Sequence, residues 1–238
     1  MGPTDPVGRN HVKLFKRISE WEANLRASYN TDLSTPENRR RAQIYNLWFD
    51  HAILRGIWTN FFEIAPGVYR SNHPTRKRFE RMKADGIKSV LNLRGDYPSA
   101  HYLVEEETCR ELGFNLTSVS MQARHAPPAE DILKLIGHFR SIEKPFVMHC
   151  KSGADRAGFA SALYLLVIEG RPMEEARKML GLKYLHVKQS KTGVLDHILD
   201  VYETRNAKDP IGVEDWLRTE YNHLEMQADY QAKYKPWF

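Results

Sequence analysis

The period of the apolar positions changes at Pro66-Gly67. Before that point a basic, proline-containing segment carries Val12-Lys13-Leu14-Phe15-Lys16-Arg17-Ile18, a short amphipathic pattern. Thr35-Pro36-Glu37 reads as a helix start. The threonine can cap, the proline lacks an N–H that would be unused at the first helical position, and the acid faces the positive end of the helix. Ile44, Leu47, Trp48, Leu54 and Trp58 carry that helix to about Trp58. Beyond Pro66-Gly67, short β-branched runs alternate with helical stretches. Strands are expected at 68–70, 87–93, 114–119 and 145–149. Helices are expected at 75–84, 99–112, 128–142, 157–169 and 193–204, with one or more from 213 onward. Parallel strands need crossover connections, so this order predicts an α/β fold with a mainly parallel central sheet flanked by helices, and extra helices at both ends. The expected division is an N-terminal helical extension, 1–62, and a domain with C-terminal helices, 63–238.

Composition narrows the classes of function. The 238 residues are 42% hydrophobic, and no apolar run approaches the roughly 20 residues of a membrane span. The segment from Met1 to Asn10 has no apolar signal-peptide core, so a cytoplasmic location is expected. Two cysteines, Cys109 and Cys150, are too few for a disulfide scaffold, and no zinc-like Cys/His spacing occurs. No metal or other cofactor is therefore expected. The net charge of +5 favours anionic partners such as phosphates or acidic lipid surfaces, and no nucleic-acid partner is expected.

The chemistry concentrates in Pro145-Phe-Val-Met-His149-Cys150-Lys151-Ser152-Gly153-Ala154-Asp155-Arg156-Ala157-Gly158. A strand delivers Cys150 to its carboxyl end, where ligands bind in open α/β sheets. A tight loop follows, and a helix begins near Arg156. Loop N–H groups and a helix N-terminus make an anion cradle, which would involve Lys151, Ser152, Gly153, Ala154, Asp155 and Arg156. Gly153 permits the close turn. In such a field a thiol loses its proton readily, and the planar fork of Arg156 matches two phosphate oxygens. Cys150 is then a nucleophile that attacks phosphorus, and water hydrolyses the resulting cysteinyl-phosphate.

His-Cys, five residues and Arg resembles the signature of the protein tyrosine phosphatase superfamily, of the compact dual-specificity kind. The resemblance takes in Gly67-Val68-Tyr69-Arg70-Ser71 and Gly86-Ile87-Lys88-Ser89-Val90-Leu91-Asn92-Leu93-Arg94, and covers roughly 63–185. It implies the cysteine phosphatase fold, and it implies that His149 orients the cysteine loop from behind. Bacterial members open similarly to Ile64-Ala-Pro-Gly-Val-Tyr-Arg-Ser.

Two departures stand out. Relatives usually have Ser or Thr after the arginine, where this chain has Ala157, and Ser152 is the nearby hydroxyl that could compensate. Relatives also place an acid about thirty residues before the cysteine, where Ser118 to Asp131 offers none at the matching spot. Asp155, just before the arginine, resembles the in-loop acid proposed for myotubularin-type lipid phosphatases. The competing reading makes Asp155 a brace for the loop, leaving His125, Glu130, Asp131 or Asp96 as the acid. Lys151 resembles a basic position in some phosphatases of inositol lipids, or else is a solvated charge.

Cys109 reads as a packed structural thiol or as a disulfide partner that protects Cys150. The aromatic stretch Tyr45, Trp48, Phe49, Trp58, Phe61 and Phe62 either packs on the core or docks peripherally at a membrane beside Arg39-Arg40-Arg41. The leading expectation is a phosphomonoester hydrolase acting on a phosphorylated protein or a phosphorylated lipid or inositol head group. A catalytically weak phosphate-binding module and a rhodanese-like sulfurtransferase are the alternatives.

Overall fold

The structure, a computed structural model, describes residues 33–44 and 58–234. The amphipathic pattern at 12–18, the helix beyond Ile44, the aromatics Tyr45, Trp48 and Phe49, and the C-terminal 235–238 lie outside the described residues. The described residues sort into two compact units. The larger holds 58–96 and 106–234, and the smaller includes 33–44 and 97–105. In the smaller unit, helix α1 (Pro36–Ile44) starts where the sequence signals it, with the Asn38 N–H donating to Thr35 Oγ1 at 3.1 Å.

The larger unit is built on five strands: β1 (Phe62–Ala65), β2 (Val68–Asn72), β3 (Ser89–Asn92), β4 (Asn115–Ser118) and β5 (Phe146–Cys150). Their order is β1-β2-β5-β3-β4, so β5 is central. The sheet is parallel except at one edge, where β1 pairs antiparallel with β2. Every residue of β5 is buried, as expected for a strand covered on both faces. The observed α/β fold, with its sheet flanked by helices, is the expected one. The boundary expected between 62 and 63 falls within β1.

The helices follow the predicted alternation: α2 (Arg76–Ala84), α3 (Ala100–Leu112), α4 (Ala129–Ser141), α5 (Asp155–Val167), α6 (Met173–Arg177), α7 (Val194–Lys208), α8 (Val213–Thr219) and α9 (His223–Lys233). Because side chains of a strand alternate, β5 feeds two separate cores. Phe146, Met148 and Cys150 join the larger one with residues of α4, α5 and α7. Val147 joins Val90 of β3, Phe79 and Met82 of α2, Phe114 and Cys109 in the other. Among the described residues, no helix is long and apolar enough to cross a membrane. Of the aromatic stretch, Phe61 stacks on Tyr69 with ring centroids 5.3 Å apart, and Phe62 meets Tyr184 edge to face at 5.2 Å. Trp58 is exposed.

Candidate active site

Cys150 ends the central strand and is only 2% exposed. Its register partner on β2 is Asn72, and β3 sets Asn92 beside His149. The chain then turns through Lys151–Ala154 and enters α5 at Asp155, which puts Arg156 in the first helical turn. Gly153 makes the turn with φ +74°. A β-carbon there would lie 2.6 Å from the Asn72 nitrogen and 2.8 Å from the Ser71 carbonyl carbon. Both the torsion and the backbone contact exclude a side chain. Gly158 has a similar constraint, since a β-carbon would lie 2.7 Å from the Met179 carbonyl oxygen, so α5 can approach the segment after α6 closely.

Several groups fix this loop from outside it. Arg70 of β2 is fully buried and donates from Nη2 to the carbonyls of Gly153 (2.6 Å) and Ala154 (3.2 Å) and from Nη1 to that of Met179 (2.7 Å). Its guanidinium lies over the Tyr184 ring, 3.7 Å from the centroid. Burial lowers the Arg70 pKa to about 10, against the opposing influence of Tyr184, Cys150 and Asp155, and it remains charged at neutral pH. Asn60 donates from Nδ2 to the carbonyls of Ser152 (3.0 Å) and Tyr184 (2.9 Å). The His73 N–H donates to the Lys151 carbonyl at 3.3 Å.

The predicted residues fall as follows. Arg156 Nη1 reaches the Leu93 carbonyl at 3.5 Å, across the loop that follows β3. His149 is buried and meets the His73 ring edge to face, centroids 5.0 Å apart. Ser152 is exposed, and its Oγ accepts from the Ala154 N–H at 3.3 Å. Ala157 is fully buried, with its carbonyl accepting from Ser161 Oγ at 2.6 Å.

Asp155 points to partners that the sequence did not announce. Its Oδ1 takes hydrogen bonds from His186 Nδ1 at 2.7 Å and from Thr192 Oγ1 at 2.9 Å. On its other side, His186 Nε2 meets Asp196 Oδ2 at 2.6 Å. Burial alone would push the Asp155 carboxyl up, but the bonds from His186 and Thr192 and the charge of Arg156 outweigh it and hold the group below the usual carboxylate range. Burial likewise opposes charge on His186, yet the two aspartates raise its pKa to about 9. A cavity of about 170 Å³ opens beside this cluster, lined by Arg124, Asp155, Ser190, Lys191 and Thr192 among others. His125, next to Arg124, is exposed, as are Glu130 and Asp96. Asp131 sits in the first turn of α4, its pKa raised by burial and by neighbouring Glu130.

The protective disulfide considered between Cys109 and Cys150 is not supported. Both cysteines are buried, but Cys109 packs with Val147 while Cys150 packs with Phe146 and Met148. Alternate residues of β5 face opposite sides of the sheet, so the strand itself separates the two sulfurs, and a disulfide tolerates only a short Cβ separation. Arg70, Asn60, His186 and Thr192 escaped the sequence reading. Each acts through a neighbour distant along the chain, and only the glycine punctuation of the loop hinted that something packs against it.

A thiol at the carboxyl end of a central parallel strand, a glycine-turned loop and an arginine in the first turn of the next helix are set out as in the cysteine phosphatase fold. Residues 65–170 match the family described as "Tc-R-P: Polymorphic toxin system, DSP-PTPase phosphatase". The dual specificity protein phosphatases TpbA of two Pseudomonas aeruginosa strains are 24% identical over 115 residues, 47% of this chain and 48% of theirs. The chain thus spans about half the length of the curated relatives it matches. The crystal structure of a DUF442 protein from Shewanella putrefaciens CN-32 superposes with a TM-score of 0.50 at 17% identity, over 61% of this chain and 90% of that one, a likeness of fold. The crystal structure of P. aeruginosa TpbA gives a TM-score of 0.48 at 20% identity, over 71% of this chain and 91% of that one.

Proposed function

We propose that this chain is a phosphomonoester hydrolase that works through a cysteinyl-phosphate. Its substrate would be a phosphorylated protein side chain or a phosphorylated lipid or inositol head group. The observation that carries this reading is the loop Cys150–Arg156 at the carboxyl edge of the central strand, inside the segment that matches the phosphatase family. The similarity to dual specificity protein phosphatases supports a phosphorylated protein. A cysteine nucleophile suits a reducing, cytoplasmic setting, where peripheral contact with a membrane would present a lipid substrate. The phosphatase domain with its C-terminal helices is taken as the catalytic unit and the N-terminal segment as an extension.

In this mechanism the Cys150 thiolate attacks phosphorus, the S–P bond forms, and the ester P–O bond breaks. Arg156 holds two non-bridging oxygens through the transfer, and loop N–H groups hold the third. Water then cleaves the S–P bond and releases phosphate, while Arg70, Asn60 and His149 keep the loop in place. Of the two roles open to Asp155, the brace is the better supported. A carboxylate that accepts from His186 and Thr192 and sits below its usual range is poorly suited to hold a proton for the leaving oxygen. That proton would come from outside the loop, with His125 as the exposed titratable group beside Arg124, which lines the cavity at Asp155.

A phosphate-release screen across phosphopeptides, phosphoinositides and phospholipids tests the assignment. Release from none of them, with oxyanion binding intact, would favour the second reading, a phosphate-binding module with weak turnover. The buried Ala157, standing where relatives carry a hydroxyl, is the observation on that side. Asp155→Asn should lower turnover by the same modest factor, under about tenfold, on aryl and alkyl phosphates. A loss confined to alkyl phosphates, together with a weakened alkaline limb, would restore Asp155 as the acid. Gly153→Ala should cost about 100-fold in kcat/KM, because the new methyl must push the loop off the Asn72 backbone and an ångström of misplacement is that expensive. Near-normal activity in this variant would show that the cradle does not depend on the turn.

A further inference from the structure

Beside the loop, His186 is an ionisable group held from both sides. It lies between α6 and α7, is buried, and has a carboxylate on each ring nitrogen: Asp155 Oδ1 at 2.7 Å and Asp196 Oδ2 at 2.6 Å. Only an imidazolium can donate from both nitrogens at once, so the geometry calls for the charged ring. Asp155 takes a second bond from Thr192 and directly precedes Arg156. Asp196 is on α7, which places one end of the cluster on the helix that supplies the substrate loop and the other on a helix of the C-terminal layer.

This arrangement answers an electrostatic difficulty. A phosphate-binding loop that contains an anionic aspartate should repel its dianionic ligand, and at a few ångströms in partly buried surroundings that repulsion is substantial. We propose that His186 is a positioning residue of the phosphate site: its buried positive charge cancels the field of Asp155 at the loop and holds that carboxylate turned toward the 186–192 segment, leaving Arg156 free to face the substrate. This rests on the reading of Cys150–Arg156 as a phosphate site. Arg156, adjacent to Asp155, cannot supply the cancellation without being drawn away from the ligand. Asp196 completes the device by keeping the ring protonated.

The charged groups around the ring are Asp155 from α5 and Asp196 from α7. One step removed, the charge of Arg156 acts on Asp155, and that of Asp196 acts on Tyr230 of α9. With the His186 pKa at about 9, the ring is charged at neutral pH, and the cancellation is lost as the pH rises through that value. Oxyanion affinity should therefore fall on the alkaline side.

The experiment is titration of the full chain with tungstate, which remains a dianion from pH 7 to 10. Wild type should bind it and lose affinity above about pH 9. His186→Gln should bind about tenfold more weakly at pH 7 and show no such limb, since its Asp155 is uncompensated throughout. His186→Gln combined with Asp155→Asn should recover most of the lost affinity, which the repair of a purely structural defect would not explain. Asp155→Asn alone, which keeps the histidine and its packing, should bind within a few-fold of wild type at pH 7, with its alkaline limb moved to lower pH because the ring loses one of the two carboxylates that raise its pKa. It decides the matter should His186→Gln fail to fold. Equal affinities in wild type and His186→Gln, a double variant as weak as the single, or an alkaline limb left at its wild-type pH in Asp155→Asn would each overturn the assignment to His186. Absence of tungstate binding by wild type would instead overturn the phosphate-site reading beneath it.

Discussion

Replacing Cys150 with serine is expected to abolish turnover while leaving oxyanion binding at least as tight as in wild type. A serine hydroxyl keeps its proton at neutral pH, so the loop presents no anion to attack phosphorus, and no other described residue occupies the end of β5. The loop, Arg156 and the helix start are untouched, and serine adds no charge against an anionic ligand. Turnover should drop by about 10⁴-fold or more, to the limit of detection, in a phosphate-release assay with an aryl phosphate. Arg156→Lys should lose at least about 100-fold in kcat/KM, because an ammonium is a point charge and cannot span two phosphate oxygens as the planar fork does. Wild-type turnover in Cys150→Ser would end the covalent mechanism, whatever else the loop binds.

Arg70→Leu is expected to have the other large effect, on stability and activity together. The guanidinium is fully buried and satisfies the carbonyls of Met179, Gly153 and Ala154, the last two belonging to the substrate loop. Leucine fills part of the volume but leaves three carbonyls without this donor in a site closed to water, at roughly 1–3 kcal/mol for each that finds no substitute. It also loses the stacking on Tyr184. Urea denaturation should show a loss of about 3 kcal/mol or more. At urea-free conditions where the variant is folded, kcat/KM should still be depressed, since Gly153 and Ala154 are no longer tied down. Arg70→Lys should recover charge without recovering the fork, and so repair little of either effect. A variant within 1 kcal/mol of wild type and near full turnover would mean that the backbone alone holds the loop.

The order of elements was legible because short β-branched runs and amphipathic stretches differ in period, and that difference survives any tertiary context. Every strand expected after Pro66-Gly67 appears in the structure, with ends displaced by one or two residues. The missing element is β1. Phe61 and Phe62 were grouped with the aromatic stretch, so Pro66-Gly67 was read as a break between regions. In the fold it is the turn of a hairpin, with Gly67 at φ +72° joining β1 to β2. Helix α6 is five residues long, too short for a helical period to register. The helical stretch expected from Val213 onward consists of α8 and α9, the second capped by Asn222.

The site divides along similar lines. Cys150, Gly153 and Arg156 were legible because a strand end, a tight turn and a helix start are consecutive in the chain, and the chemistry of an anion cradle follows from their spacing alone. Arg70 was quoted within a strand, yet nothing local says whether a strand arginine points to solvent or under a loop 83 residues further on. The role of Asp155 was open for the same reason. Its carboxylate is defined by His186 and Thr192, 31 and 37 residues away, and their hydrogen bonds decide whether it holds a proton. The partner once considered for Cys150 fails because a strand sends neighbouring side chains to opposite faces, and which helix covers which face is fixed by packing. Sequence by itself therefore determined most of the elements and the succession of thiol, tight turn and arginine at the end of β5, all of them local in the chain. Tertiary structure alone decided the braces, the charge on Asp155 and the isolation of the two thiols, because burial and desolvation are properties of residues brought together from far apart.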